Sequence, residues 1–287
     1  MNLLAGLEKF GLDVSKGANI FEDEDSKGSK KNGADGGAAE HVPAEEEFLL
    51  DKNVRCRICD QVFKTKMVKN GRVKSLKSDK DLRPRTQYID RLKYGITSCP
   101  YCGYTALNLE FEHLLPAQAK LVKEEICSKF QATIVPDETT ISYDEAIEKH
   151  KLSLINTIVK RGKNSEKAYT CLRISWLLRG KIEGMPEGTE EEKKAKEEAK
   201  QEEEQFYQQA YEGFIVATAK EVPPFYGLEQ SAIDYLLAYM SYHFKKFEIA
   251  SKYLASVIQS PSAGRNVKEM ALDLKEQIVA EIKKKGA

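Results

Sequence analysis

The sequence predicts an α+β fold that is mostly α, with a small β module followed by antiparallel helical hairpins. Three observations carry that expectation. Two CxxC pairs, Cys56–Cys59 and Cys99–Cys102, are separated by 39 residues. Apolar periodicity changes from two before residue 106 to 3.6 after it. A stretch near the end, Leu236–Pro261, alternates small and bulky side chains at helical spacing.

Composition narrows the class. The chain has 287 residues, 41% hydrophobic and 31% charged, with 45 Lys+Arg against 45 Asp+Glu. That excludes a wholly disordered or collagen-like chain and a uniformly basic nucleic-acid binder. No run of 18 apolar residues exists, so no spanning helix is expected. Met1–Ser15 lacks a basic start, an apolar core and a cleavage site, which makes a cytoplasmic protein the default expectation.

Residues 1–47 are expected to form a flexible acidic arm. Leu3, Leu4, Leu7 and Phe10 have helical spacing, so a short amphipathic helix can open it. Glu22-Asp23-Glu24-Asp25 and the Gly/Ser/Lys-rich run after it hold too little apolar surface to offset the entropy of ordering.

Residues 48–105 are expected to form the cysteine module. Asn70-Gly71 follows Gln61–Lys69 and predicts a hairpin with Arg72–Leu76 as return strand. Cys99-Pro-Tyr-Cys102-Gly103 reads as a second tight turn, with Gly103 relieving crowding around the thiolates.

Residues 106–287 are expected to be helical. Candidate helices run over Ala117–Phe130, Tyr143–Arg161, Glu166–Leu178, Thr189–Glu221, Glu229–Phe244, Phe247–Gln259 and Asn266–Lys284. Ser142 and Glu145 form a candidate capping box. Gly180, Gly184, Pro186 and Gly188 read as breakers, and Pro223-Pro224 as a firm stop. Glu190–Glu204 is a charged surface section, with the apolar register resuming at Phe206 and Tyr207.

Six cysteines in a large chain without a secretory leader favour metal ligation over disulfides. Cys56, Cys59, Cys99 and Cys102 together supply four thiolates, the donor set of a closed tetrahedral structural zinc site. Iron is a weaker fit, as is a CxxC redox pair, which normally sits on a helix after a strand. Cys127 and Cys171 read as small buried hydrophobes. His41, His113, His150 and His243 are scattered, and His113 is the nearest substitute ligand. No HExxH, phosphate loop or nucleophile elbow is present.

Two resemblances follow from these residues. Leu236–Pro261, with Ala238, Ala250 and Ala255 among Tyr235, Leu237, Tyr239, Tyr253 and Leu254, resembles a tetratricopeptide hairpin. A generic helical bundle is the alternative. The order Cys56–Cys59, Val62-Phe63, Asp79-x-Asp81-Leu82-Arg83-Pro84-Arg85, Leu92, Cys99-Pro-Tyr-Cys102-Gly103-Tyr104 and Ala106 resembles a bacterial family known as domain of unknown function 2225. The resemblance covers about 48–260. It implies a zinc-ribbon-like front, tetratricopeptide-like helices and a cytoplasmic protein, and implies no activity. Thr86 departs from the aromatic that the family favours there.

The zero net charge hides opposite blocks. Met1–Asp51 holds 5 Lys/Arg against 12 Asp/Glu, while Lys52–Ser98 holds 14 against 4. Such a basic field attracts polyanions or acidic partners, with Arg83, Arg85, Arg91 and Lys93 as candidate polyanion-binding residues. Phe63, Tyr88, Tyr94, Tyr101 and Tyr104 are candidate stacking residues. Asp79, Asp81, Arg83 and Arg85 read either as a catalytic or phosphate-binding set or as pairs that lock the connection between the two cysteine turns. The expected function is a zinc-stabilised adaptor or scaffold binding a protein or peptide through its helices. A nucleic-acid-binding protein using the basic module is the alternative, and an enzyme with the Asp/Arg site stands behind it.

Overall fold

A computed structural model describes residues 42–131 and 139–285. The expected amphipathic helix at the start and most of the acidic arm lie outside these residues.

A short 3-10 turn, Glu45–Phe48, leads into β1 (Leu49–Arg55). This strand pairs antiparallel with β2 (Val62–Val68), from Leu49↔Val68 at one end to Arg55↔Val62 at the other. The hairpin therefore closes around the first CxxC, not at Asn70-Gly71. Val54 and Phe63 are cross-strand partners that share a core with the thiols. Lys66 and Asp51 pair across the strands at 2.8 Å. Gly71 still turns the chain at φ +84°, but the strand after it, β3 (Ser75–Leu76), pairs with β4 (Arg85–Thr86). The second CxxC joins β5 (Ile96–Ser98) to β6 (Thr105–Leu107), the tight turn that the sequence predicts.

Helices follow in the predicted order. α1 (Pro116–Val122) starts on a proline, whose missing amide costs nothing at that position, and continues into a π-helical turn, Lys123–Cys127. α2 (Tyr143–Val159) is capped by Ser142, whose Oγ accepts the Glu145 amide at 3.1 Å. α3 (Asn164–Glu183) has its first free amide met by the Glu221 carboxylate, 2.7 Å from Asn164 N. It also runs past Gly180, which the sequence reads as a breaker. A Cβ at Gly180 would lie 2.7 Å from both Arg83 Nη2 and Tyr143 Cε1, so this glycine permits a close approach. α4 (Glu190–Lys220) opens on a Thr189/Glu192 capping box, and Tyr207, Ala210, Tyr211 and Phe214 bury its second half. α5 (Gln230–His243), α6 (Phe247–Gln259) and α7 (Arg265–Lys285) complete the body.

From Pro43 onward the chain is one compact unit with three clusters of buried side chains. The largest lies among α2–α5 and also takes in Phe48, Leu49, Ile89, Leu92 and Tyr94. The second surrounds the cysteines. The third joins α5, α6 and α7 through Tyr235, Ala238, Ala250, Leu254 and Leu274. Ala238 and Ala250 are buried as expected, whereas Ala255 faces outward. No helix among the described residues is long and apolar enough to cross a membrane.

Candidate metal centre

The two cysteine turns repeat one backbone plan. In the first, Cys56 N donates to Gln61 O at 2.9 Å and Asp60 N donates to Cys56 O at 3.1 Å. In the second, Cys99 N donates to Tyr104 O at 2.9 Å and Gly103 N donates to Cys99 O at 3.0 Å. The residue after each second cysteine is left-handed, Asp60 at φ +59° and Gly103 at φ +74°. Aspartate tolerates that region better than most residues, and glycine adopts it freely. Crowding at Gly103 comes from a ring rather than from amides: a Cβ there would meet Phe130 Cδ2 at 2.4 Å.

These turns bring the four sulfurs together. Cys56 Sγ lies 3.6 Å from Cys102 Sγ, and Cys59 Sγ lies 3.6 Å from Cys99 Sγ. All four donor atoms fall within 4.8 Å of one another, so the set could hold a metal ion. Bonds of about 2.3 Å in a tetrahedron require sulfur–sulfur separations of about 3.8 Å, which the set nearly meets. Cys56, Cys99 and Cys102 are buried and Cys59 is half-buried. Sulfur contacts with Cys102 and Cys99 hold Cys56 far below the ordinary thiol range. Contacts with Cys56 and Cys99, followed by burial, push Cys102 far above it. Sulfurs this close oppose one another's ionisation, an opposition that a cation among them would relieve. His113 is not part of the set.

The sulfur cluster is braced from behind. Asn156 of α2 donates from Nδ2 to Gly103 O at 3.1 Å, and the buried Tyr104 donates to Phe111 O at 3.1 Å. Cys127 packs against this cluster half-buried, while Cys171 is buried in the helical core.

The Asp/Arg segment becomes a clamp onto α3. Arg83 is 2% exposed, and its guanidinium reaches Glu183 at 3.1 Å and Asp90 at 3.4 Å. Arg85 pairs with Glu183 at 2.6 Å and with Asp79 at 2.7 Å. Asp81, also buried, accepts from Trp176 Nε1 at 2.9 Å and from Arg179 at 2.8 Å. Arg85, then burial working against it, sets the Glu183 carboxyl, which ends below its ordinary value. Lys93 is buried against Glu45 at 2.7 Å, whereas Arg91 is exposed. Thr86 donates its hydroxyl to Ile89 O. Among the stacking candidates, Phe63, Tyr94 and Tyr104 are buried, and Tyr88 and Tyr101 are about half exposed. Sequence reasoning missed Glu183, Trp176, Arg179 and Glu45. Their partners lie 48 to 100 residues away, and only the uniqueness of Trp176 hinted at a special contact.

Fold and site together define a four-cysteine module, able to hold a metal ion, joined to a helical bundle. The family described as an uncharacterized protein conserved in bacteria (DUF2225) matches residues 49–278, and the chain belongs to it. No curated protein matches the chain, and no solved structure matches it.

Proposed function

We propose that the protein is a zinc-stabilised cytoplasmic adaptor or scaffold. In this reading the ribbon-like module, residues 48–105, is a rigid head. The tetratricopeptide-like helices, residues 106–287, bind a protein or peptide. The observation that carries it is the closed set of four sulfurs, which leaves a tetrahedral ion no open position for substrate. Zinc would be held by Cys56, Cys59, Cys99 and Cys102, and its role would be to tie two turns of a small module together. Asp79, Asp81, Arg83 and Arg85 spend their charges on one another and on α3, which favours a holding role over a catalytic one.

A nucleic-acid reading keeps one specific support, the exposure of Lys52, Arg55, Arg57, Lys64, Arg72 and Lys74. Arg85 and Arg91 remain reachable from the candidate polyanion set, while Arg83 and Lys93 are enclosed. Partner capture from nuclease-treated extract separates the two. An adaptor loses its partner when Leu272→Glu and Val279→Glu alter the exposed face of α7 and keeps it when Lys52→Glu and Lys64→Glu reverse the module. The opposite pattern rejects the adaptor.

A further inference from the structure

The half-buried and buried arginines of this molecule differ in one respect. Arg83, Arg85 and Arg179 each face carboxylates at 3.1 Å or less. Arg173 forms no ion pair among the described residues. Among the described residues its side chain donates from Nη2 to the Leu92 carbonyl at 3.0 Å, and its Nε is buried without a partner there. The guanidinium is pressed against Gly95, where a Cβ would stand 1.7 Å from Nη2, and it sits over the Tyr169 ring. Its charge is felt at His150, whose protonation is opposed first by complete burial and then by Arg173. Withdrawing a cation from water without a counter-ion is costly, and the cost falls away when an anion arrives.

Arg173 lines a cleft of about 930 Å³ bounded by the end of β2, the β3–β4 pair, the turn at Arg91–Tyr94, α3 and the start of α7. That volume falls within the range of ligand sites. The exposed Arg91 and Lys77 line the same cleft without ion pairs among the described residues, and Met67, Leu76 and Met270 supply apolar surface. The α7 wall carries the exposed Asp273 and Glu269, the latter paired with Arg265 at 2.8 Å. The Asp273 carboxylate on one wall would repel a uniform polyanion such as a nucleic-acid backbone. It would accept a ligand whose negative groups are discrete and flanked by neutral backbone.

We infer that this cleft binds an acidic peptide segment, with a side-chain or terminal carboxylate on Arg173 and Arg91 and a neighbouring apolar side chain against Met67, Leu76 and Met270. The inference rests on the adaptor reading and names the chemistry of its partner and a place for it. It adds to the helical face a site shared between the module and the helices.

The test is fluorescence anisotropy of the full chain with a fluorescein-labelled peptide of alternating glutamate and leucine, at two salt concentrations. Binding should weaken about tenfold in Arg91→Glu, a change at an exposed side chain without an ion pair among the described residues, and at least as much in Arg173→Met. Asp273→Lys should tighten it several-fold by removing an opposing charge. Lys52→Glu, outside the cleft, should leave it unchanged. Equal loss in Lys52→Glu would show only a diffuse basic field and overturn the site. So would binding indifferent to both Arg91→Glu and Arg173→Met. Competition by inorganic phosphate or a thymidine decamer as strong as by unlabelled peptide would overturn the peptide in favour of a phosphate ligand. If the peptide fails while partner capture through α7 persists, the cleft assignment falls and the adaptor stands. If capture fails too, both fall.

Discussion

The cysteine module and the helical body reach stability by different routes. The body buries Trp176, Leu177, Tyr211, Phe214 and Leu236 among helices, an apolar core that needs nothing from outside the chain. The second cluster places three buried thiols beside Val54, Ile58, Phe63 and Phe111, next to one pair of seven-residue strands and one pair of three-residue strands. A two-stranded hairpin is marginal in water, so its turns must be held by something stronger than its ladder. The contrast teaches where each kind of damage should stay. Loss of the ion should undo the module, and loss of packing should undo the body.

Chelation, or Cys56→Ser with Cys102→Ser, breaks the comparison hardest. Structural zinc contributes on the order of 10 kcal/mol in small modules, so protease should cut between residues 49 and 107 while helical circular dichroism largely persists. A purified protein with far less than one metal per chain and no change in chelator would reject the metal reading. Phe214→Ala probes the other side. It should cost about 3–5 kcal/mol in denaturant unfolding and leave metal content unchanged. Arg83→Met strikes the joint between the regions. It leaves Asp90 without its guanidinium partner and Glu183 with Arg85 alone, and about 3–5 kcal/mol should disappear with both regions loosened. Gly103→Ala adds left-handed strain and a collision with Phe130. A loss of about 1–3 kcal/mol is expected, together with faster metal transfer to a chromogenic chelator.

Glu183→Gln gives the smallest effect and a defined pH signature. Because the Glu183 carboxyl is held below its ordinary value by Arg85, its stabilisation is present above the unfolded value and lost as pH falls through the folded one. The melting-temperature gap between wild type and Glu183→Gln should therefore close on acidification. A constant gap down to acid would show that the clamp contributes nothing through charge.

Helices were the legible part, because 3.6-residue periodicity and caps such as Ser142 and Thr189 are local signals. Asn70-Gly71 does not place the hairpin because it is a local turn signal, which fits the observed Gly71 conformation, while strand partnership is settled elsewhere. Val54 and Phe63 need a common core with the sulfurs, and this puts Leu49–Arg55, a strand with little apolar alternation, opposite β2. Gly180 misleads for a related reason. A breaker and a close-approach glycine look alike until Arg83, 97 residues earlier, is seen to need the space. The four cysteines were legible as a set because each CxxC already folds into a turn. The pairing of Asp79 with Arg85 was legible as well, but Glu183 as their common partner was not, since no spacing rule links a loop to a distant helix end.

Leu82 shows how little freedom the joint leaves to sequence drift. It sits at φ +66°, its amide bonded to Asp79 O at 3.0 Å, and its side chain rests against both the first and the third cluster of buried residues. Glycine would suit the backbone and forfeit about 2 kcal/mol of apolar burial. Valine or isoleucine would keep the burial and resist the backbone angle. Requirements of shape and of chain direction thus exclude opposite halves of the amino-acid alphabet, and position 82 is left with few acceptable letters.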